Sequence, residues 1–183
     1  MMKHAAHCDT EREKILVRIE KLFNKKGSPP REIIPAGPPD HSFEYAYSAD
    51  FFAGRMWTDI SDTELLNTYP TGASAAVTFL SDPGFFYYLP LFMSCVLRNF
   101  TESGTLVQSL LFDLMRPSNL NGQEQFDARF GELEIAKKTC VAHFLKFLAE
   151  CHADSYPPDI YEATSPEVSL SRYWAQFLEK PPS

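Results

Sequence analysis

The side chains best able to do chemistry fall into a few small sets. His4, His7 and Cys8 bring imidazole and thiol groups together, the ligand types zinc prefers. They have no fourth ligand nearby and stand at a chain end, where residues fray unless tied down, so no metal site is expected of them. Cys140 and His143 are i, i+3 neighbours on one helix, with Cys151 and His152 two to three turns further on. At about 1.5 Å rise per residue, a rigid helix holds these two pairs too far apart to close one site. A Cys–His nucleophile pair would also need an orienting carboxylate and oxyanion donors, and no glycine-rich elbow or cysteine signature precedes Cys8, Cys95, Cys140 or Cys151. The eight glycines are spread singly and form neither G-x-x-x-x-G-K nor G-x-G-x-x-G, so no phosphate cradle is visible. Among the acids, Asp82 stands in an apolar context that helix capping explains, and Asp59, beside Trp57, is the one acid to watch. No catalytic set, metal or cofactor is expected.

The other candidate chemistry is aromatic. Phe51, Phe52, Trp57, Phe85, Phe86, Tyr87, Tyr88 and Phe92 are many rings for a small core, and buried tyrosine hydroxyls and indoles need polar partners. Ordinary core is the leading reading. The competing one is a recognition surface, with Arg55 stacked on the rings and Arg55, Trp57, Asp59, Tyr87 and Tyr88 as its binding residues.

These residues are positioned by a helical pattern. Thr10 to Glu13 reads as a capping box, followed by an apolar stripe of Ile15, Leu16, Ile19, Leu22 and Phe23 that ends near Lys26. Residues 1–9 are then a flexible N-terminus, and 10–180 one helical domain. Gly27 to His41 holds Pro29, Pro30, Pro35, Pro38 and Pro39, whose missing amides forbid helix and central strand, so 27–41 is a Pro-rich surface loop pinned by Ile33 and Ile34. A short turn at Ser48–Phe52 and a helix capped by Ser61 follow. Ala73–Leu80 is too short for periodicity to choose between helix and strand.

Ser81-Asp82-Pro83 opens the most apolar stretch of the chain, running to Leu97. Pro90 inside it predicts a kink near Leu89. Gly104–Met115 gives another helix, Ser118–Gly122 a turn, and Leu133–Cys151 a long amphipathic helix. Its apolar face carries Leu133, Ala136, Cys140, Val141, Phe144, Leu145 and Leu148, with Lys137, Lys138, Lys146 and Glu150 off that face. Ser165-Pro166 caps a last helix, bearing Tyr173, Trp174 and Phe177. The expected fold is mainly α: a single compact domain of six or seven helices around a kinked central apolar helix, with at most a minor β element.

Composition bounds the function. The 183 residues are 44% hydrophobic and 22% charged, which suits a globular domain, and the net charge of −7 gives no field that attracts nucleic acid or anionic lipid. The apolar run Phe85–Met93 is far short of the roughly 20 residues needed to span a bilayer, so it is core. The N-terminal residues show no apolar signal segment, so a cytoplasmic location is expected, with all four cysteines free and Cys95 and Cys140 acting as small buried hydrophobes.

Two stretches taken together, Phe52-Ala53-Gly54-Arg55-Met56-Trp57-Thr58-Asp59-Ile60 and Phe79-Leu80-Ser81-Asp82-Pro83-Gly84-Phe85-Phe86-Tyr87-Tyr88-Leu89-Pro90, resemble a family of small uncharacterised bacterial proteins, a domain of unknown function. The family pattern is F-x-G-(K/R)-x-W-x-D followed by a run like S-F-L-T-P-E-A-F-R-Y-Y-L-P. Phe86 stands where the family has a charged residue. The resemblance implies a bacterial cytosolic protein without a known activity, and it transfers no functional residue.

The functional expectation is a non-enzymatic protein-binding module, an adaptor or the antidote of a toxin, whose partner is another protein rather than nucleic acid or membrane. A small hydrolase with a pocket near Asp59 and Trp57 is the first alternative, and a homo-oligomeric structural protein, such as a homodimer, the second.

Overall fold

The computed structural model describes residues 2–23, 27, 29–34, 43–67, 73–156 and 164–178. Among them every regular element is helical: α1 (Met2–Leu22), α2 (Phe43–Phe52), α3 (Asp62–Asn67), α4 (Ala73–Thr78), α5 (Asp82–Arg98), α6 (Phe100–Leu114), α7 (Leu120–Gly131), α8 (Ile135–Cys151) and α9 (Pro166–Arg172), with 3-10 turns at Trp57–Asp59, Ala153–Ser155 and Trp174–Phe177. The mainly α expectation holds. Ala73–Thr78, ambiguous by sequence, is helix. A single domain was expected, but the contacts divide the chain into two compact units, Asn24–Leu110 and Met1–Phe23 with Leu111–Ser183.

In the Asn24–Leu110 unit, α5 starts where serine capping predicts: the Gly84 amide donates to the Ser81 hydroxyl at 3.2 Å, and Pro83 falls in the first turn. Tyr88 through Leu97 are buried without a break, so α5 has no solvent face in its second half. The chain does not leave helical dihedrals at Pro90, which lies inside α5, but at Gly104 within α6, where φ is 35° and ψ −107°. Proline removes one hydrogen bond, a loss that packing on every side of α5 can offset. A positive φ is sterically open to glycine, so the reversal falls there. The same unit contains the Ser61 cap, whose hydroxyl accepts from the Glu64 amide at 3.2 Å. Asp62 in turn accepts from Asn99 at 2.8 Å and pairs with Arg98 at 3.3 Å, tying the start of α3 to the end of α5.

The other unit joins both ends of the chain. Helix α1 begins at Met2, not at Thr10, whose hydroxyl donates to the Ala6 carbonyl at 2.9 Å from within the helix. Residues 2–9, expected to be a flexible tail, are therefore helical, and Cys8 is bonded to Cys151. With Cys8 at the end of α8, and Lys137 from the start of α8 placed 5.8 Å from the Phe23 ring, α1 and α8 run antiparallel. Ile15, Ile19 and Phe23 of α1 are buried, as are Cys140, Val141, Phe144, Leu145 and Leu148 of α8. Residues 118–122, read as a turn, instead start α7, with the Asn119 side chain accepting from the Gly122 amide at 2.7 Å. Trp174 is fully buried among Phe126, Phe130, Tyr173 and Phe177, with ring centroids 5.0 to 6.2 Å away. Its indole and the Ser169 hydroxyl both donate to the Leu114 carbonyl, at 2.7 and 2.8 Å, satisfying an orphan acceptor at the end of α6. Lys138 is buried too, against expectation: its ammonium donates to the Gly131 carbonyl at 2.8 Å and sits 5.5 Å from the Phe177 ring, which is how a buried cation avoids lacking partners.

Candidate functional site

The five residues expected to bind a partner all lie in the Asn24–Leu110 unit, where Trp57 and Tyr88 are buried, Arg55 and Tyr87 half-buried and Asp59 exposed. Trp57 is 8% exposed and Tyr88 fully buried, so the aromatic cluster is core. The Trp57–Asp59 turn packs against α5, which unites the two family-like stretches. The Tyr88 hydroxyl lies 2.9 Å from the Phe52 carbonyl and 2.7 Å from that of Arg55, closing the carbonyl end of α2. Burial raises its pKa further above the usual tyrosine value, so it stays a neutral donor. Tyr87 is half-buried, and its hydroxyl donates to the Gly27 carbonyl at 2.6 Å.

Arg55 and Asp59 are the charged members. The Arg55 guanidinium pairs with Glu64 at 2.8 Å and stands 5.1 Å from the Phe51 ring. The hydrogen bond from Arg55 holds the Glu64 carboxyl below the usual range. Asp59 is exposed. The described histidines, His4, His7, His143 and His152, all belong to the other unit, so within its own unit Asp59 has no described imidazole to act with. Among the described residues no three His, Cys, Asp or Glu side chains are placed to hold a metal ion. Cys95 and Cys140 are free and buried, as expected, and burial pushes both thiols up to about 12, so neither is a thiolate at neutral pH.

Tyr87, together with Ser81, fastens the Pro-rich segment. Tyr87 holds its start. Further along, the Ser81 hydroxyl donates to the Glu32 carbonyl at 2.6 Å and the Ser81 amide to that of Ile33 at 2.8 Å. Gly84 makes this approach feasible, since a Cβ there would sit 2.4 Å from the Ile33 carbonyl oxygen. Ile33 is buried, which agrees with its expected pinning role. Residues 35–41 of the loop lie outside the described residues.

Between this segment and α2 lies an open groove of about 500 Å³, lined by Pro29, Pro30, Ile33 and Ile34 on one side and by Ala49, Ala53 and Gly54 on the other, with Arg31 and Glu32 also on its wall. Alanine and glycine leave the room: Gly54 turns the chain at φ 66° just past α2, and Ala49 and Ala53 present only methyl groups. Sequence reasoning missed this groove. Its signals were the small residues at 49, 53 and 54 and the serine at 81, which was assigned only its local capping role.

The model of a family of unknown function, DUF6714, matches residues 37–178, and the chain belongs to that family. No curated protein and no solved structure matches it.

Proposed function

We propose that the protein is a non-enzymatic protein-binding module of adaptor or antidote type, docking an extended, positively charged segment of another protein in the groove between residues 29–34 and α2. The observation that carries this reading is the groove itself: open, mostly apolar, and held in shape from outside by Ser81, Tyr87 and Gly84. The net charge of −7 favours a basic occupant over nucleic acid or anionic lipid and would speed its encounter. Arg55, Trp57, Asp59, Tyr87 and Tyr88 contribute by positioning, with Asp59 exposed and available for contact.

The test immobilises the full chain, identifies what it captures from its own cells, and measures the purified partner against wild type and Ala53→Trp. A basic partner, bound at least about tenfold more weakly by the variant and with an association rate that falls as salt rises, is the expected result. Absence of any stoichiometric partner, or an affinity indifferent to Ala53→Trp in a variant with an unchanged circular dichroism spectrum, overturns it.

Self-association is a second reading, favoured by the exposed side chains of Val17, Phe112, Leu120 and Ile135 in the unit containing α1 and α8. A monomeric mass by sedimentation at every concentration removes it. The hydrolase reading has no such support, since Trp57 is core and Asp59 stands exposed.

A further inference from the structure

All four cysteines were expected to be free, yet Cys8 and Cys151 are joined across 143 residues of sequence, with Cα atoms 5.8 Å apart. Both residues are only half-buried, so a small thiol can reach them. Their settings differ. Cys8 lies in the second turn of α1, and the His4 imidazole, one turn earlier, places Nε2 3.8 Å from its sulfur. Cys151 is the last residue of α8, at the end where unpaired carbonyls carry partial negative charge. Nearby, Asp9 and Arg12 pair at 3.0 Å, Glu150 beside Cys151 pairs with Lys146, and burial and Arg12 hold the half-buried His152 below the ordinary histidine value. Negative charge on sulfur is therefore easier to bear at Cys8 than at Cys151, and in thiol–disulfide exchange the thiol of lower pKa leaves faster.

We infer that Cys8–Cys151 is a reversible clasp, opened by a low-molecular-weight thiol that attacks the Cys151 sulfur and expels Cys8 as the thiolate. In the first step the incoming thiolate forms a bond to Cys151 Sγ while the Cys8–Cys151 bond breaks, its electron pair going to Cys8 Sγ beside His4. In the second, another thiolate attacks the small-molecule sulfur of the mixed disulfide and releases Cys151, which takes a proton from water. Two small thiols are oxidised to one disulfide as the protein disulfide is reduced to two thiols. Because α1 and α8 are antiparallel, the clasp secures only the N-terminal end of α1, while Ile15, Ile19 and Phe23 hold the other end by packing. Opening frees the first turns of α1 and leaves the rest docked.

The full-length oxidised chain is treated with reduced glutathione, quenched in acid at intervals, digested and mapped by mass. A transient glutathione adduct on Cys151, outnumbering that on Cys8 by about tenfold, is expected. His4→Ala should slow opening roughly threefold, as the leaving thiolate loses its neighbour. Hydrogen exchange should rise first and most over residues 2–9 on opening, and less at Ile15–Leu22. An adduct mainly on Cys8 overturns the direction of attack. A bond that survives excess glutathione in the native chain, yet is reduced in denaturant, overturns reversibility, and an unchanged opening rate in His4→Ala overturns the part given to the imidazole.

Discussion

The Asn24–Leu110 unit is one continuous run of chain, whereas its counterpart is assembled from Met1–Phe23 and Leu111–Ser183. Their fastenings differ accordingly. In the continuous unit, hydroxyls of Ser81, Tyr87 and Tyr88 reach backbone carbonyls of Glu32, Gly27, Phe52 and Arg55, single hydrogen bonds worth about 1 kcal/mol each. In the assembled unit the ends are held by a covalent bond between α1 and α8, and by an indole and a serine that converge on one carbonyl. Bringing distant segments together carries a larger loop-closure entropy, so the assembled unit uses the stronger links.

If that contrast is right, the largest effect belongs to the disulfide. A link closing 143 residues stabilises by about 5 kcal/mol on chain entropy, so Cys8→Ser with Cys151→Ser should lower the denaturation midpoint steeply. Amides of residues 2–9, the turns of α1 that the bond secures, should lose exchange protection first. A loss below about 1 kcal/mol would mean that the packing of α1 on α8 suffices and would remove the contrast.

In the continuous unit the largest expected effect is Gly84→Ala. The added methyl would overlap the Ile33 carbonyl, a backbone atom that cannot rotate away, so a cost of about 2 kcal/mol is expected, with residues 29–34 becoming susceptible to protease. An unchanged stability would show that the Pro-rich segment is not held by α5. Tyr88→Phe should cost less, about 1.5 kcal/mol, because the ring packing remains and only the hydrogen bond to the end of α2 is lost. Urea titration of both variants orders the two effects.

The same contrast explains what could be read from the sequence. Caps are local chemistry, so the starts of α5 and α9 at Ser81 and Ser165 were legible, as was the helical class. The start of α1 was misplaced because Thr10 through Glu13 satisfies a capping rule without being at an end, its hydroxyl turning back to Ala6. The non-helical dihedrals at Gly104 gave no signal in the sequence, where that residue reads only as the start of a helix. Trp57 and Tyr88 stand out in the sequence as candidate binding residues, but composition cannot separate a ring that faces solvent from one whose hydroxyl ends a neighbouring helix. The groove and the disulfide were invisible for a common reason. Each joins residues far apart in sequence, and neither small residues nor isolated cysteines announce a distant partner.

Acid should separate the two units with the smallest effect of all. Burial holds both His143 and His152 below the ordinary histidine value, with Arg18 adding to it at His143 and Arg12 at His152, while Glu11 opposes it at His143. Both imidazoles lie in the assembled unit, and no described histidine lies in the continuous one. A group whose folded pKa is depressed leaves the unfolded chain holding more protons as pH falls, so stability is whole above about pH 6.5 and declines below it. Between pH 7.5 and 5.5 the amides of α1 and α8 should therefore lose exchange protection while those of α5 keep theirs, with intrinsic exchange rates corrected for pH. His143→Gln should remove part of that decline, because its side chain has no proton to gain in this range. Equal loss of protection in both units would mean that they unfold as one, and the contrast between a continuous and an assembled unit would then describe the path of the chain without describing its stability.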